Sequence, residues 1–561
     1  MGNIFLDLTI IICTAAFFSL IFRFLKQPEI LAYILTGVIL GPLAVAKINN
    51  PEAVRSLSEI GITLLLFMVG LELRLSDLKA VGRVAFITGV GQIVFTSLIG
   101  FIISLALGFS VIASAYISVA LTFSSTIIIV KLLSDKKDIK SLYGKISVGF
   151  LLVQDFFAIL ALIFLSGFNA NGVSVNALDF VFVILKGVLL FGLVIYLSKA
   201  ILPRFIEKIP HTSESLFLFS LALAFAMSFF VSFPPIGFSI EIGGFLAGLA
   251  LANSVESFQI VARVRPLRDF FITIFFVSLG TGLILENFAE ILIPALIFSL
   301  FILIGNPIIV MIIIGLFGYK KRIGFLAGLT VAQISEFSLI LVFLGNRLGH
   351  LSNEVVSLVT LVGIITFTIS SYMIINGNYL YKILSPYLNI FERKKLRKEH
   401  DIQSDKFDNL KNHVVVIGGD HMGQSIIEAL ENKGETLVLI DFDPSLIERF
   451  RDENVLFLFG DISDLDIQER ARIDNAKLVI STIPDIEDNL ILLKELKREN
   501  RNAKVIMMAF DKQDAKELYK EGADYIILPH LAGGRQVAKL LSEGSLEKLE
   551  SLREKDKKYL I

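Results

Sequence analysis

The sequence predicts two unlike domains: a polytopic α-helical membrane domain, then an α/β domain with a doubly wound parallel sheet. Three observations carry this. The 561 residues are 54% hydrophobic with a mean hydropathy of +0.73, far above a water-soluble chain. The apolar excess stops near residue 390, and Lys, Glu, Asp and Arg dominate beyond it. From His413 onward, short apolar runs alternate with helical stretches. The divisions that follow are 1–390 for the membrane part, 391–412 for a charged juxtamembrane linker, 413–545 for the α/β domain and 546–561 for a tail. The net charge of −1 averages two unlike halves and gives no sign of a nucleic-acid partner. The single cysteine, Cys13, excludes an internal disulfide framework, and its apolar surroundings predict a packed thiol. The N-terminus lacks a basic stretch and a small-residue cleavage site, so residues 4–22 are expected to remain as a membrane span.

A helix needs about 20 mostly apolar residues to cross a bilayer. Thirteen stretches are candidates: 3–22, 28–46, 56–73, 84–107, 110–132, 146–168, 178–201, 214–233, 236–254, 268–285, 289–318, 322–346 and 354–385. Gly and Pro interrupt the second and the tenth. The loops then set the orientation. Alternate connections carry Arg23 and Lys26; Arg74, Lys79 and Arg83; Lys131, Lys136, Lys137, Lys140 and Lys145; Lys199, Arg204 and Lys208; Arg263, Arg265 and Arg268; Lys320, Lys321 and Arg322. The other connections carry only Lys47, Arg55 and Arg347. Positive loops stay in the cytoplasm, which places the N-terminus outside and the α/β domain inside. An odd number of spans gives the same result.

Two spans contain polar, helix-weakening stretches: Thr122 to Thr126 in the fifth and Gln333 to Phe337 in the twelfth. They lie seven spans apart. Transporters built on inverted repeats place two broken helices in such corresponding positions, crossing near the bilayer midplane, where unwound backbone lines a cavity. The hydroxyls of Thr122, Ser124, Ser125 and Thr126 are hard oxygen donors suited to an alkali cation. The same run also suits plain helix-to-helix hydrogen bonding.

One span later comes Gln154-Asp155, inside the apolar run Ile146 to Phe168, whose only charged side chain is Asp155. An acid at that depth costs about 3 kcal/mol to insert, which marks it as a functional site. It can hold a proton or a metal cation, the minimum machinery for exchanging one for the other. The alternative is a neutral carboxyl bonded to a neighbouring helix. Other charges in apolar stretches are Glu72 near a cytoplasmic loop, Glu241 at the outer start of the ninth span, and Lys186, which snorkels or pairs. Glu336 suits a transport role and a structural one equally.

These motifs resemble the monovalent cation:proton antiporter-2 superfamily and, within it, the Kef-type potassium efflux proteins. The matching pieces are Gly37 to Pro42, Leu64 to Glu72, Thr122 to Thr126, Gln154-Asp155, Gly243 to Gly248 and Gln333 to Phe337, in family order. The resemblance implies a core domain and a dimerisation domain that move against each other, elevator-like alternating access, and a homodimer in the cell membrane. It implies transport residues Asp155, Gln154, Thr122, Ser124, Ser125, Thr126, Asn306, Gln333 and Glu336, with K+ or Na+ held at Asp155. Sodium-selective relatives commonly carry two acids or Asn-Asp where this chain has Gln-Asp. One acid less suits the weakly hydrated potassium ion and one-for-one exchange with H+, with sodium as the alternative. Many relatives also carry a Lys or Arg that pairs with the essential acid. Counting back from Glu336, the corresponding position here is Asn306, in Gly305-Asn306-Pro307. That leaves Asp155 without a cationic partner.

In the α/β domain, apolar runs at 413–417, 436–441, 455–459, 477–481, 504–509 and 524–528 predict six strands. Gly418-Gly419-Asp420-His421-Met422-Gly423 follows the first strand and opens a helix, the setting of a dinucleotide-binding turn. Asp441 ends the second strand, where an acid binds ribose hydroxyls. Asp420 damages the fingerprint, because it puts a carboxylate where the pyrophosphate should approach. This half resembles the Rossmann-like RCK/KTN domains of potassium channels and transporters. Gly418, Gly423, Asp441 and Gly460-Asp461 carry the match. The resemblance implies regulation by a bound nucleotide, with AMP, NAD(H) and other adenine nucleotides all open, and no catalysis. Residues 531–561 are expected to be helical.

Two other classes stand against a nucleotide-regulated antiporter. A membrane-anchored NAD-dependent oxidoreductase would need a substrate domain and an acid–base pair beside the α/β fold, and neither is evident. A channel-like pathway would lack proton coupling.

Overall fold

The computed structural model describes residues 4–43, 49–72, 82–136, 138–166, 213–233, 236–252, 256–283, 288–391, 410–441, 455–460, 465–483, 486–499 and 502–542, with parts of 185–202 and a few single residues. Most of the predicted seventh span, most of the linker 391–412, Asp461 and nearly all of the tail lie outside the described residues. The chain forms two compact units, one of Met1–Lys136 with Tyr143–Arg393 and one containing Lys394–Ile561.

The first unit is all helix: α1 (Ile4–Phe24), α2 (Glu29–Leu40), α3 (Pro51–Glu72), α4 (Arg83–Ala106), α5 (Val111–Ala120), α6 (Thr126–Asp135), α7 (Leu142–Ser166), α8 (Ser213–Ser232), α9 (Ile240–Leu251), α10 (Ser257–Thr281), α11 (Phe288–Leu300), α12 (Asn306–Leu316), α13 (Lys321–Leu329), α14 (Glu336–Arg347), α15 (Asn353–Ile375) and α16 (Gly377–Leu384). A π-helical turn, Phe301–Gly305, joins α11 to α12. Among the described residues, seven helical stretches are long and apolar enough to cross a membrane, and α2, α5 and α9 are shorter apolar helices. Two differences from the expected spans stand out. The second stops at Leu40, because Gly41-Pro42 cannot continue it. The tenth begins at Ser257 and carries Arg263, Arg265 and Arg268, so the apolar stretch marked only part of the helix. Cys13 is exposed on α1, not packed as its neighbours suggested.

The helices pack in two groups. In one, α3 lies against α9 and α10, α2 against α10 and α1, and α8 against α9. In the other, α4 lies against α5 and α12, α12 against α13, and α14 against α5 and α15. The first group is held at backbone distance by glycines. A Cβ at Gly244 would sit 2.6 Å from the Thr63 carbonyl oxygen, and one at Gly41 would sit 2.5 Å from Thr281 Cα. At Gly248 a Cβ would run into the Phe67 carbonyl. Gly248→Leu therefore forces α9 away from α3. Overpacking costs about 1–3 kcal/mol where neighbours yield, and here the neighbour is backbone. The expected result is loss of the monodisperse peak in detergent gel filtration, with Ala failing less severely than Leu.

Asp7 has a structural role that its isolated place in an apolar helix did not disclose. Its Oδ1 accepts from the Asn49 backbone and side-chain N–H groups at 3.0 Å each, and its Oδ2 from those of Asn50 at 3.0 and 2.9 Å. This fastens α1 to the start of α3, where Pro51 fits the first helical position.

The second unit has six parallel strands: β1 (Val414–Ile417), β2 (Leu437–Asp441), β3 (Val455–Phe459), β4 (Leu478–Ser481), β5 (Lys504–Met508) and β6 (Tyr525–Ile527), in the order β3-β2-β1-β4-β5-β6. Val415 pairs with Val438 on one side and Val479 on the other. The helices α17 (His421–Glu431), α18 (Leu465–Arg470), α19 (Ile486–Glu499), α20 (Lys512–Lys520) and α21 (Pro529–Ser542) follow the strands. β1 and β2 are buried along their whole length, as a sheet covered on both faces requires. The chain reverses between β1 and β4, which puts the ligand crevice at the carboxyl end of β1.

Candidate ion-binding site

Two transmembrane helices are broken in corresponding places. Residues 121–125 separate α5 from α6, and residues 330–335 separate α13 from α14. The breaks follow from local chemistry. Ser125 accepts from Ile128 N–H at 3.3 Å and caps α6. Ser335 accepts from Phe337 N–H at 3.2 Å and caps α14. The Ser338 hydroxyl accepts from Ser335 N–H and donates to the Ala120 carbonyl at 2.5 Å. One serine thus closes the capping box of one broken helix and ties it to the last turn of the other.

Asn306 makes the second tie. Its amide nitrogen donates to the carbonyls of Leu121 and Val331, at 3.4 Å each, and its Oδ1 accepts from Thr96 at 2.8 Å. Those carbonyls stand at the carboxyl ends of α5 and α13, where unpaired backbone oxygens carry negative partial charge. A neutral carboxamide with two N–H groups satisfies both ends and places no full charge between them.

Asp155 lies on α7 beside the break. Its Oδ2 accepts from the Thr126 hydroxyl at 2.8 Å, at the positive end of α6. Its Oδ1 is buried without a hydrogen-bond partner. Among the described residues Asp155 forms no ion pair. An unsatisfied buried carboxylate oxygen is costly, and a proton or a cation relieves it. The Ser124 hydroxyl on the same break is also buried and unpartnered.

The remaining sequence-assigned residues fall into distinct roles. Gln154 is engaged at both ends of its amide: it accepts from Ser124 N–H at 3.0 Å and donates to Gln92 at 2.8 Å. In this arrangement it braces the unwound segment. Thr122 turns its hydroxyl back to the Val119 carbonyl at 2.6 Å. Gln333 Oε1 accepts from Ser370 at 2.7 Å, while its Nε2 is buried and unpartnered. Glu336 is buried at the first position of α14, with the Ser335 hydroxyl at 3.4 Å.

Two site residues escaped sequence reading. Gln92 on α4 donates to the Thr122 carbonyl and to Thr96 Oγ1, both at 3.1 Å, and Thr96 passes the chain on to Asn306. A signal exists. Thr88, Gln92, Thr96, Gly100 and Ser104 recur every four residues along an apolar helix, and all are buried. That spacing marks one polar face.

In the second unit, Gly418 has φ +92° and a Cβ there would lie 2.5 Å from Thr482 Oγ1, so only glycine fits. A Cβ at Gly423 would strike the Gly418 carbonyl, which explains the last glycine of the turn. Asp441 Oδ2 accepts from Gly419 N–H at 2.6 Å and pins the turn to β2. Asp420 is exposed at the start of α17 and caps nothing with its side chain. Asp461 lies outside the described residues. Asp420→Gly removes a negative charge from the mouth of the turn. Calorimetry on the purified full chain is expected to show AMP or NADH binding tightened about tenfold, a difference of about 1.4 kcal/mol.

The family model for the transmembrane sodium/hydrogen exchanger matches residues 9–375, well over half of the chain. The chain belongs to the sodium/hydrogen exchanger family. The model of the TrkA-N domain matches residues 414–529. Relatives of this exchanger chain include the putative cation/proton antiporter YbaL of Escherichia coli (strain K12), 26% identical over 92% of this chain and 93% of the relative. The glutathione-regulated potassium-efflux system protein KefC of Escherichia coli O6:H1 is 24% identical over 88% of this chain and 78% of its own. Among solved structures, the sodium proton antiporter MjNhaP1 of Methanocaldococcus jannaschii covers 68% of this exchanger chain and 97% of its own, at 19% identity and a TM-score of 0.47.

Proposed function

We propose that this chain is a secondary antiporter that exchanges a monovalent cation, potassium in preference to sodium, for protons at Asp155. The carrying observation is the unpartnered Oδ1 of Asp155 beside a broken helix, with a hydroxyl on its other oxygen and, among the described residues, no ion pair. A proton and a cation are then alternative occupants of one carboxylate. Asn306 and Gln154 hold the frame through neutral amides, and one acid among neutral oxygens suits a weakly hydrated cation. Thirteen spans, an outward N-terminus, a cytoplasmic TrkA-N domain and a homodimer complete the reading. An adenine nucleotide at the Gly418–Gly423 turn regulates transport and undergoes no chemistry. The kinship with potassium-efflux and cation/proton antiporters supports this assignment over an oxidoreductase.

The test is proton flux in proteoliposomes under imposed potassium, sodium or lithium gradients. Potassium is expected to drive the largest flux, sodium less and lithium least. Flux with sodium alone would replace potassium by sodium in this reading. No coupled flux with any of the three would overturn it.

A further inference from the structure

The two helix groups are joined by an ionic bridge in which Glu241 is buried and Arg347 and Glu59 are half-buried. Arg347 ends α14. Its Nη1 lies 2.7 Å from Glu241 Oε1, at the start of α9, and 3.2 Å from Glu59 Oε1, on α3. α14 packs with α5 and α15, while α3 and α9 pack with each other. The Glu241 side chain is only 4% exposed. Its Oε2 and the neighbouring Ser239 hydroxyl are buried and unpartnered. Both residues line a water-sized void, together with Ile62 and Leu66 of α3 and Ile340 and Phe343 of α14.

A buried ion pair is a poor way to add stability, because desolvating both charges offsets most of their attraction. It is a good way to make contact between two bodies all-or-none. The bridge stands where Lys47, Arg55 and Arg347 are the only basic residues of the connections, the side that the charge bias places outside.

We propose that Glu59, Arg347 and Glu241 form the closed outer gate of the transport path, with Arg347 standing as a tethered cation on the carboxylate that an incoming cation meets first. This rests on the antiporter reading and its orientation. Opening the path outward separates α14 from α3 and α9, breaks the bridge, and exposes Glu241 and Ser239 to the medium.

The test is thiol labelling of Ser239→Cys in a Cys13→Ser background, in sealed vesicles, with a membrane-impermeant methanethiosulfonate reagent added outside. With the bridge intact, labelling is expected to be slow. Arg347→Gln with Glu241→Gln removes both charges of the closest pair together and is expected to raise the rate by roughly tenfold or more. Arg347→Lys keeps a cation and is expected to keep the protection. Should the paired variant fail to fold, Glu59→Gln, on the more exposed acid, is expected to give a smaller rise. Unchanged labelling in the bridge-less variants would overturn the proposal. So would rapid labelling with the bridge intact, or reaction only from the cytoplasmic side. Cation-driven proton flux by the Cys13→Ser chain tests the antiporter reading separately, because the labelling rate does not depend on coupling.

Discussion

Asp155→Asn is expected to leave a folded, monodisperse protein that moves no protons above empty liposomes when a potassium gradient is imposed. The substitution is nearly isosteric, and the Thr126 hydroxyl still finds an acceptor at 2.8 Å in the amide oxygen. The frame does not depend on the charge: Gln154 holds Ser124 N–H, and Asn306 holds both carboxyl-terminal ends, without Asp155. What disappears is the carboxyl whose unpartnered oxygen can take a proton or a cation beside the break. The readout is a pH-sensitive dye inside the vesicles. Asp155→Glu keeps the chemistry but moves the carboxylate by one methylene, and is expected to retain reduced flux.

Asn306→Leu is the second large effect, and it acts through the frame. Leucine fills similar space but donates nothing. The carbonyls of Leu121 and Val331 and the Thr96 hydroxyl all lose a partner at a fully buried position. Each unsatisfied buried group costs about 1–3 kcal/mol. The long 3.4 Å bonds put the two carbonyls at the lower end. With about 1.4 kcal/mol for each tenfold, transport is expected to fall on the order of a hundredfold. Asn306→Gln, which retains an amide but displaces it, is expected to fall less. Equal, normal flux in Asn306→Leu would show that the crossing point does not need this tie.

Some of this was legible in the sequence because it is local. The six strand runs lie where β1 to β6 form, since each is a short apolar segment bounded by turn residues. The break at 121–125 falls at a Thr/Ser-rich stretch, whose side chains compete for the backbone bonds that a helix needs; the second, expected over Gln333 to Phe337, lies earlier, at 330–335, with Glu336 and Phe337 already inside α14. Other features are long-range and could not be read along the chain. Ser338 reaches Ala120, 218 residues away, and Arg347 meets Glu241, 106 residues away. Ser338 does not stand out from its neighbours, and Arg347 and Glu241 each stand out as charges with nothing along the chain to pair them. Gln92 and Thr96 are hidden differently: their four-residue spacing is present, but single uncharged residues are common in membrane helices. Asp7, an acid in an apolar span, went unread in the sequence, and only the fold reveals that Asn49 and Asn50 satisfy it.

The frame and the gate assign separate tasks to charged and neutral groups. At the crossing point, where the cation must dissociate readily, the ties are neutral amides and hydroxyls. At the boundary between the helix groups the contact is ionic, and such contacts either hold or open.

The account's central claim is that proton and cation compete for one carboxylate. It is tested most directly by the apparent KM for potassium, measured in proteoliposomes across a series of pH values at saturating and limiting potassium. Competition at Asp155 predicts that KM rises as pH falls, approaching about tenfold per pH unit where the carboxyl is mostly protonated. The maximal rate reached at saturating potassium should change little over the same range. A KM independent of pH, with the maximal rate falling instead, would place the proton on another group and contradict the account.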